Sequence, residues 1–477
     1  TISNLTISTS ADVTGLFGEV SYATIQNLNL DTVSVTGGNQ STGALAGKFS
    51  NGTATNVTAN NITVSGGDNV GGLFGEVYTS SLSNLTVQGD SSVSASGWHS
   101  GGLLALLNDS SLGNSHTNAE VVSSSNRAGG LSGFSWGSSI TGSTATGAVA
   151  GAQQVGGLVG AMYETSPTIT NSSATGNVTG TQMVGGLVGK MYASGTITTS
   201  FATGSVTGTG DDVGGLVGEN SGAIISSYVT GAVQGTNYVG GVVGEHLGTL
   251  TGSYITNTGS VSGVNYVGGV AGIVGSNTNS TASISGASSA ASVTASTGGK
   301  NLGGVVGSNY GSVTNSNASG TVTSGANAFA IGGLVGANHG VISNGSANTA
   351  SVVAGINSDA LGTLIGLHSG TENSSATSGT LTFGGSLVAT PLRVGLQYTD
   401  GLISLPAQIS NIQYFSKNSF SLANDIDMTG VDYTPVSFYG LGSAPAGEET
   451  VPVFDGKGFT ISNLTISTSA DVTGLFG

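Results

Sequence analysis

The string Val-Gly-Gly-Leu-Val-Gly occupies Val155–Gly160 and returns at Val184–Gly189 and Val213–Gly218. Looser copies run far beyond these three. With the leucine or its replacement as marker, the series is Leu16, Leu45, Leu73, Leu103, Leu131, Leu158, Leu187, Leu216, Val242, Val270, Val305, Leu334 and Leu364. Successive markers stand 26 to 35 residues apart and average 29. A period of this size in a chain of β character is one turn of a solenoid.

The segment between markers supports that reading. Ile140, Ser143, Ala145 and Val149 fall in the same frame as Ile169, Ser172, Ala174 and Val178. Apolar or small residues alternate with Thr, Ser and Asn, which is the period of strands with one buried face. Two or three short strands per turn are expected, joined at Gly, Asn, Thr or Ser corners. Parallel strands of successive turns stack at ~4.8 Å, so thirteen turns make a rod of roughly 60 Å. One turn cannot bury its apolar face alone, and the repeats therefore imply one continuous body. The Gly-Gly pair before each marker suits a φ > 0 corner or a close approach of neighbouring backbones. The third glycine would leave room for a neighbouring side chain.

Composition removes other classes. Of 477 residues, 84 are glycine, 6 are proline and none is cysteine. Glycine lacks the three-residue period of collagen. Charged residues make up 6% and hydrophobic ones 37%, the reverse of a disordered chain. No apolar run approaches the ~18 residues of a membrane helix, so no membrane insertion is expected. A net charge of −16 argues against nucleic acid as a partner. Without cysteine there are no disulfides and no thiol chemistry.

The Gly-Leu-(hydrophobic)-Gly string at this spacing resembles the GLUG motif family. Residues Ser421–Met428, followed by Phe454–Ile466, resemble the leader that commonly precedes such repeats. Members of that family are mostly very large secreted or surface-anchored bacterial proteins, adhesin-like proteins among them. The resemblance implies an all-β, parallel β-solenoid of about thirteen turns and an extracellular, cell-surface location. It speaks to architecture more than to activity, because the motif is a building unit.

A longer period overlies the short one. Residues 460–477 repeat residues 1–18 letter for letter, at an offset of 459. The expectation is a tandem array with a 459-residue unit: a solenoid at 1–377, a junction at 378–459, and the start of the next unit at 460–477. The junction holds Pro391, Pro406, Pro435, Pro445 and Pro452 and is rich in aromatics. Proline and bulky side chains there would break or cap the stack.

Stacking turns single residues into columns. Three residues after the marker stand Glu19, Lys48 and Glu76, and later Lys190, Glu219 and Glu245. They read as a surface charge ladder or, alternatively, as a cation site. Five residues after the marker stand Tyr78, Trp136, Tyr163, Tyr192 and Tyr310. Trp136, Tyr163 and Tyr192 belong to consecutive turns and read either as a ladder guarding a corner or as a platform for sugar rings. Asparagines recur 9 to 13 residues after the marker, from Asn27 to Asn373, where left-handed corners suit them. Asp425 and Asp427, near Asn424, offer hard oxygens to calcium but fit turn capping better.

Catalytic patterns are poor. There is no His-Glu-x-x-His and no nucleophile elbow with matched partners. His246, His339 and His368 follow the repeat. A polysaccharide-active β-helix enzyme needs clustered acids or bases, against which stand only Arg127, Arg393 and the pair Asp211-Asp212. Ice binding by outward Thr179 and Thr207 has too few regular turns. The expected function is a structural and adhesive repeat protein, non-enzymatic and cofactor-free, one unit of a filament or adhesin. Its partners would be further copies of itself, end to end or as lateral rods, and glycans or the surfaces of host or neighbouring cells. The alternative is a carbohydrate-binding solenoid module.

Overall fold

The computed structural model describes residues 1–388, apart from 125, 165, 253–255, 344–346 and 349, and then residues 394–397, 402–403, 409, 420–429 and 454–466. Arg393, Asn344, most of the proposed junction and all of 467–477 lie outside the described residues. The chain divides into two compact units, Thr1–Gly395 and Leu396–Gly477.

The first unit is all-β. The short strand that begins one residue after each marker pairs in parallel with its counterpart one turn away, from Phe17–Ser21 through thirteen turns to Ile365–His368. The first turns hold three strands, such as Ala46–Ser50, Thr53–Gly66 and Asn69–Gly71, but later turns hold more than the alternation suggests. One complete turn comprises Thr168–Thr170, Ser173–Ala174, Val178–Gly180, Gln182–Gly185 and Val188–Met191, five strands instead of two or three. They are short because a corner interrupts every few residues. Parallel pairing continues beyond residue 377, with Val352 opposite Leu381. Ser386–Leu387 then turns back antiparallel on Leu381–Phe383 through Gly384 and Gly385, both at φ > 0, so a hairpin takes the edge of that sheet, while Val394–Gln397 adds a fourteenth strand to the sheet of marker strands.

In-register pairing converts the repeat into ladders. Leu112, Ile140, Ile169, Ile197, Ile224 and Leu250 are consecutive partners, and all are buried. The markers from Leu45 to Leu364 are buried as well. A polar ladder runs beside the apolar ones. Ser115, Ser143, Ser172, Ser200 and Ser227 are almost fully buried. The backbone N–H of Ser143 donates to Ser172 Oγ at 3.1 Å, and that of Ser172 to Ser200 Oγ at 3.2 Å. Each hydroxyl then donates to the carbonyl two residues before it, Ser172 to Thr170 at 2.9 Å. Ser172→Ala would strand a buried N–H, and we expect it to cost about 1–3 kcal/mol, read as a lower urea midpoint. Alanine at exposed Thr141 should stay within about 0.5 kcal/mol of wild type.

The motif glycines act through close approach. None of the Gly-Gly pairs preceding a marker has φ > 0. A Cβ on Gly157 would collide with the carbonyl oxygen of Gly186, and one on Gly186 with that of Gly215. The third glycine does not make room for a side chain. A Cβ on Gly189 would run into the backbone of Gln154 and Val155. Left-handed backbone belongs to the residue just before Val-Gly-Gly or its counterpart: Gln154, Met183, Asp212, Tyr238, Tyr266, Asn301, Ala330 and Ala360 all lie at φ 49–60°. The asparagine column behaves as expected at Asn27, Asn56, Asn84, Asn114, Asn171 and Asn315, with φ 49–56°. Asn56 Nδ2 donates to Asn27 Oδ1, and Asn84 Nδ2 to Asn56 Oδ1, each at 3.1 Å. At Asn373 the left-handed residue is Ser374 instead.

In the second unit, Phe420–Leu422 pairs in parallel with both Leu402–Ile403 and Phe454–Asp455. Ile426 pairs with Ile461. The leader-like segments are thus adjacent parallel rungs. Among the described residues no helix is long and apolar enough to cross a membrane.

Candidate functional site

Three columns gather the polar and aromatic chemistry. The first is aromatic. The strands Ser132–Trp136 and Val159–Tyr163 pair in register, which sets Trp136 opposite Tyr163 at 4.9 Å between rings, tilted by 39°. Tyr192 follows at 4.4 Å from Tyr163, edge to face at 76°. All three rings are half-buried. Phe134 packs edge-on against Trp136, and the Arg127 guanidinium lies 4.4 Å over the Phe134 ring. The structure therefore brings the three expected residues together, as a fluted column and not a flat platform.

The second column is charged, and it is less exposed than a surface ladder. Glu76 is 6% exposed. Ser41 Oγ donates to its Oε1 at 2.5 Å, Asn69 Nδ2 to the same atom at 2.7 Å and Tyr78 Oη to Oε2 at 2.9 Å, while Lys48 Nζ stands at 3.5 Å. Burial pushes its carboxyl up, but these donors and Lys48 outweigh it, and the net shift is downward. Farther along, Lys190 pairs with Glu219 at 2.8 Å. Glu245, next in register, has acids as neighbours. Asp212 reaches in from the preceding corner, and one carboxylate oxygen from each of Asp212, Glu219 and Glu245 lies within 4.8 Å of the others. Asp212 Oδ1 is buried and accepts no hydrogen bond. Burial first, then Glu245, Glu219 and Asp211, push the Asp212 carboxyl up to about 7. Three such oxygens are the donor type that hard cations take, and equally a place where one proton is shared.

Asp425 and Asp427 are exposed and already engaged. Asp425 Oδ1 accepts from the Thr460 N–H at 2.8 Å, and Asp427 Oδ1 from Thr429 N–H at 3.0 Å and Asn463 Nδ2 at 2.8 Å. Hydrogen bonds from Asn463 and Thr429 hold the Asp427 carboxyl below its usual range. This is the geometry of turn capping and of tying adjacent rungs. His246 is fully buried between Asn220, 3.0 Å away, and the Ser283 carbonyl, also at 3.0 Å, and burial lowers it to about 4, so it is neutral and part of a ladder.

The third feature was not read from the sequence. A groove of about 920 Å³ follows the corner just past the aromatic column, along the first five turns. One wall is the left-handed series Tyr22, Asn51, Thr79, Asp109 and Gly137, at φ 45–55°. The other is the in-register series Thr24, Thr53, Ser81, Ser111 and Ser139. Its floor is recessed because Ala23, Gly52, Ser80, Ser110 and Ser138 are small. Only the shared short side chains of the floor positions could have signalled it.

The family model for the GLUG motif matches residues 151–179 and 298–323. The chain carries that motif at two places in the solenoid. No curated protein and no solved structure matches the chain.

Proposed function

We propose, from GLUG motifs carried on one parallel β-solenoid, that this protein is a non-catalytic structural and adhesive element displayed outside the cell, one unit of a longer filament. That it is a structural repeat protein follows from the motif and the fold together. The observation that carries the reading is the parallel ladder: thirteen consecutive turns pair with their neighbours, with a continuous apolar core and with serine and asparagine columns along stretches of it. Such a ladder gives length and stiffness, and leaves the outward columns for contacts. Support for a non-catalytic role comes from Glu76, His246, Asp425 and Asp427, whose polar atoms are engaged by neighbouring groups. Immunogold labelling of intact producing cells, with antibody raised against the chain, should decorate the surface, and micrographs of the extracted material should show rods. Label confined to the cell interior, or compact particles, would overturn the reading.

A further inference from the structure

We propose that the corner groove of the first five turns binds an extended, neutral polysaccharide lying along the solenoid axis. This deepens the carbohydrate-binding alternative by assigning it a site, and it rests on the solenoid fold, not on the surface location. Four observations point to that ligand class. The groove is periodic: a linear polymer meets a similar donor and acceptor set at every ~4.8 Å rung, over roughly 20 Å.

The lining is hydroxylic. Thr24, Thr53, Ser81 and Ser111 are exposed, and they face Asn51 and Thr79 across the recessed floor. The groove is also nearly uncharged. Asp109 is the one carboxylate among its lining residues and no lysine or arginine joins it, so a polyanion finds nothing to pair with.

Its backbone, finally, is already paired lengthwise. The N–H of Asn51 donates to the Tyr78 carbonyl at 3.0 Å, that of Thr79 to Asn108 at 3.0 Å and that of Asp109 to Trp136 at 2.9 Å. In the floor, Gly52 N–H donates to Ser80 Oγ at 3.1 Å and Ser80 N–H to Ser110 Oγ at 2.9 Å. A peptide strand, which docks through free backbone groups, has no edge to join. What remains is side-chain hydroxyl, amide and ring, the set a polyol takes. The ring is that of Tyr22, 83% exposed, at the first turn. Its face suits the apolar C–H face of a sugar ring.

The test is retardation of the 477-residue chain in native gels cast with soluble xyloglucan, hydroxyethyl cellulose, glucomannan or mixed-linkage glucan, with polygalacturonate as the anionic control. At least one neutral glycan should retard the chain. The double variant Ser81→Arg with Ser111→Arg should weaken binding at least tenfold, and Tyr22→Ala about threefold or more. Ser94→Arg, on an exposed strand position away from the groove, should leave it unchanged. Because the arginine variant can fail to fold, the triple variant Thr53→Val, Ser81→Ala, Ser111→Ala serves as well, with an expected loss of at least threefold and an unchanged circular dichroism spectrum. No retardation by any of the four, retardation by polygalacturonate alone, or full binding by either folded variant would overturn the proposal. Rods that bind no glycan would leave the filament reading standing.

Discussion

Gly186→Ala is expected to break the stack at its seventh turn, although it adds one methyl group. The new Cβ would collide with the Gly215 carbonyl oxygen and meet the Ala202 methyl at 2.8 Å. Neither neighbour can withdraw. Gly215 holds its place in the next turn through its N–H to the Gly240 carbonyl at 3.2 Å, and Ala202 is buried in its own in-register ladder. Overpacking in a rigid core costs about 1–3 kcal/mol, and a clash with backbone belongs at or above the top of that range. The expected result is a loss of about 3 kcal/mol or more in denaturant unfolding, with new protease cleavage near residues 186–215. Gly113→Ala is the control. A Cβ there meets nothing within 4 Å, so its effect should stay within about 0.5 kcal/mol. Equal effects for the two substitutions would refute the close-approach role of the motif glycines.

Asp212→Asn should do the opposite and stabilise, by an amount that grows from about pH 4 to about pH 7 and is complete above it. The Asp212 carboxyl titrates at about 7 in the folded chain against an ordinary 3.8, because it is buried beside Glu245, Glu219 and Asp211. Between those two values the folded protein keeps a proton that the unfolded chain has released. Stability therefore falls as pH rises from about 4 to about 7, and the full penalty is present above 7. Asparagine removes the charge, keeps the shape and tolerates the left-handed backbone that Asp212 holds at φ 60°. At ~1.4 kcal/mol per pKa unit, with allowance for partial exposure, the gain at pH 8 should be about 2–4 kcal/mol. Thermal melts at pH 8 and pH 4.5 would check it: a clear rise in Tm at the first and little change at the second. An equal rise at both would mean that the charge is not the cause.

Much of the fold was legible because a solenoid writes its geometry as spacing. The markers recur every turn, and from Leu45 to Leu364 each does occupy the core. The Ser143–Ser172–Ser200 frame likewise proved to be one inward column. What was not legible lies between rungs or around corners. The glycine role depends on a carbonyl about 29 residues away, and nothing in a Gly-Gly pair distinguishes that from a turn. The left-handed column before the motif holds Gln154, Met183, Asp212, Tyr238 and Ala330, which share no side-chain chemistry. The Asp212–Glu219–Glu245 group joins residues from two different columns, so reading one column at a time separates them. The groove was hidden for another reason: its serines and threonines look like any outward residue until the small floor between them is seen.

The inter-turn hydrogen bonds carry a mechanical consequence. They run along the axis, so a pull on the two ends loads all thirteen turns in series and each turn bears the whole force. The weakest rung, not the average one, then sets the limit. A rung that lets go frees about 29 residues, which stretch to roughly 100 Å where they had contributed ~4.8 Å. A tether built this way resists small loads as a rod and answers large ones by lengthening a turn at a time.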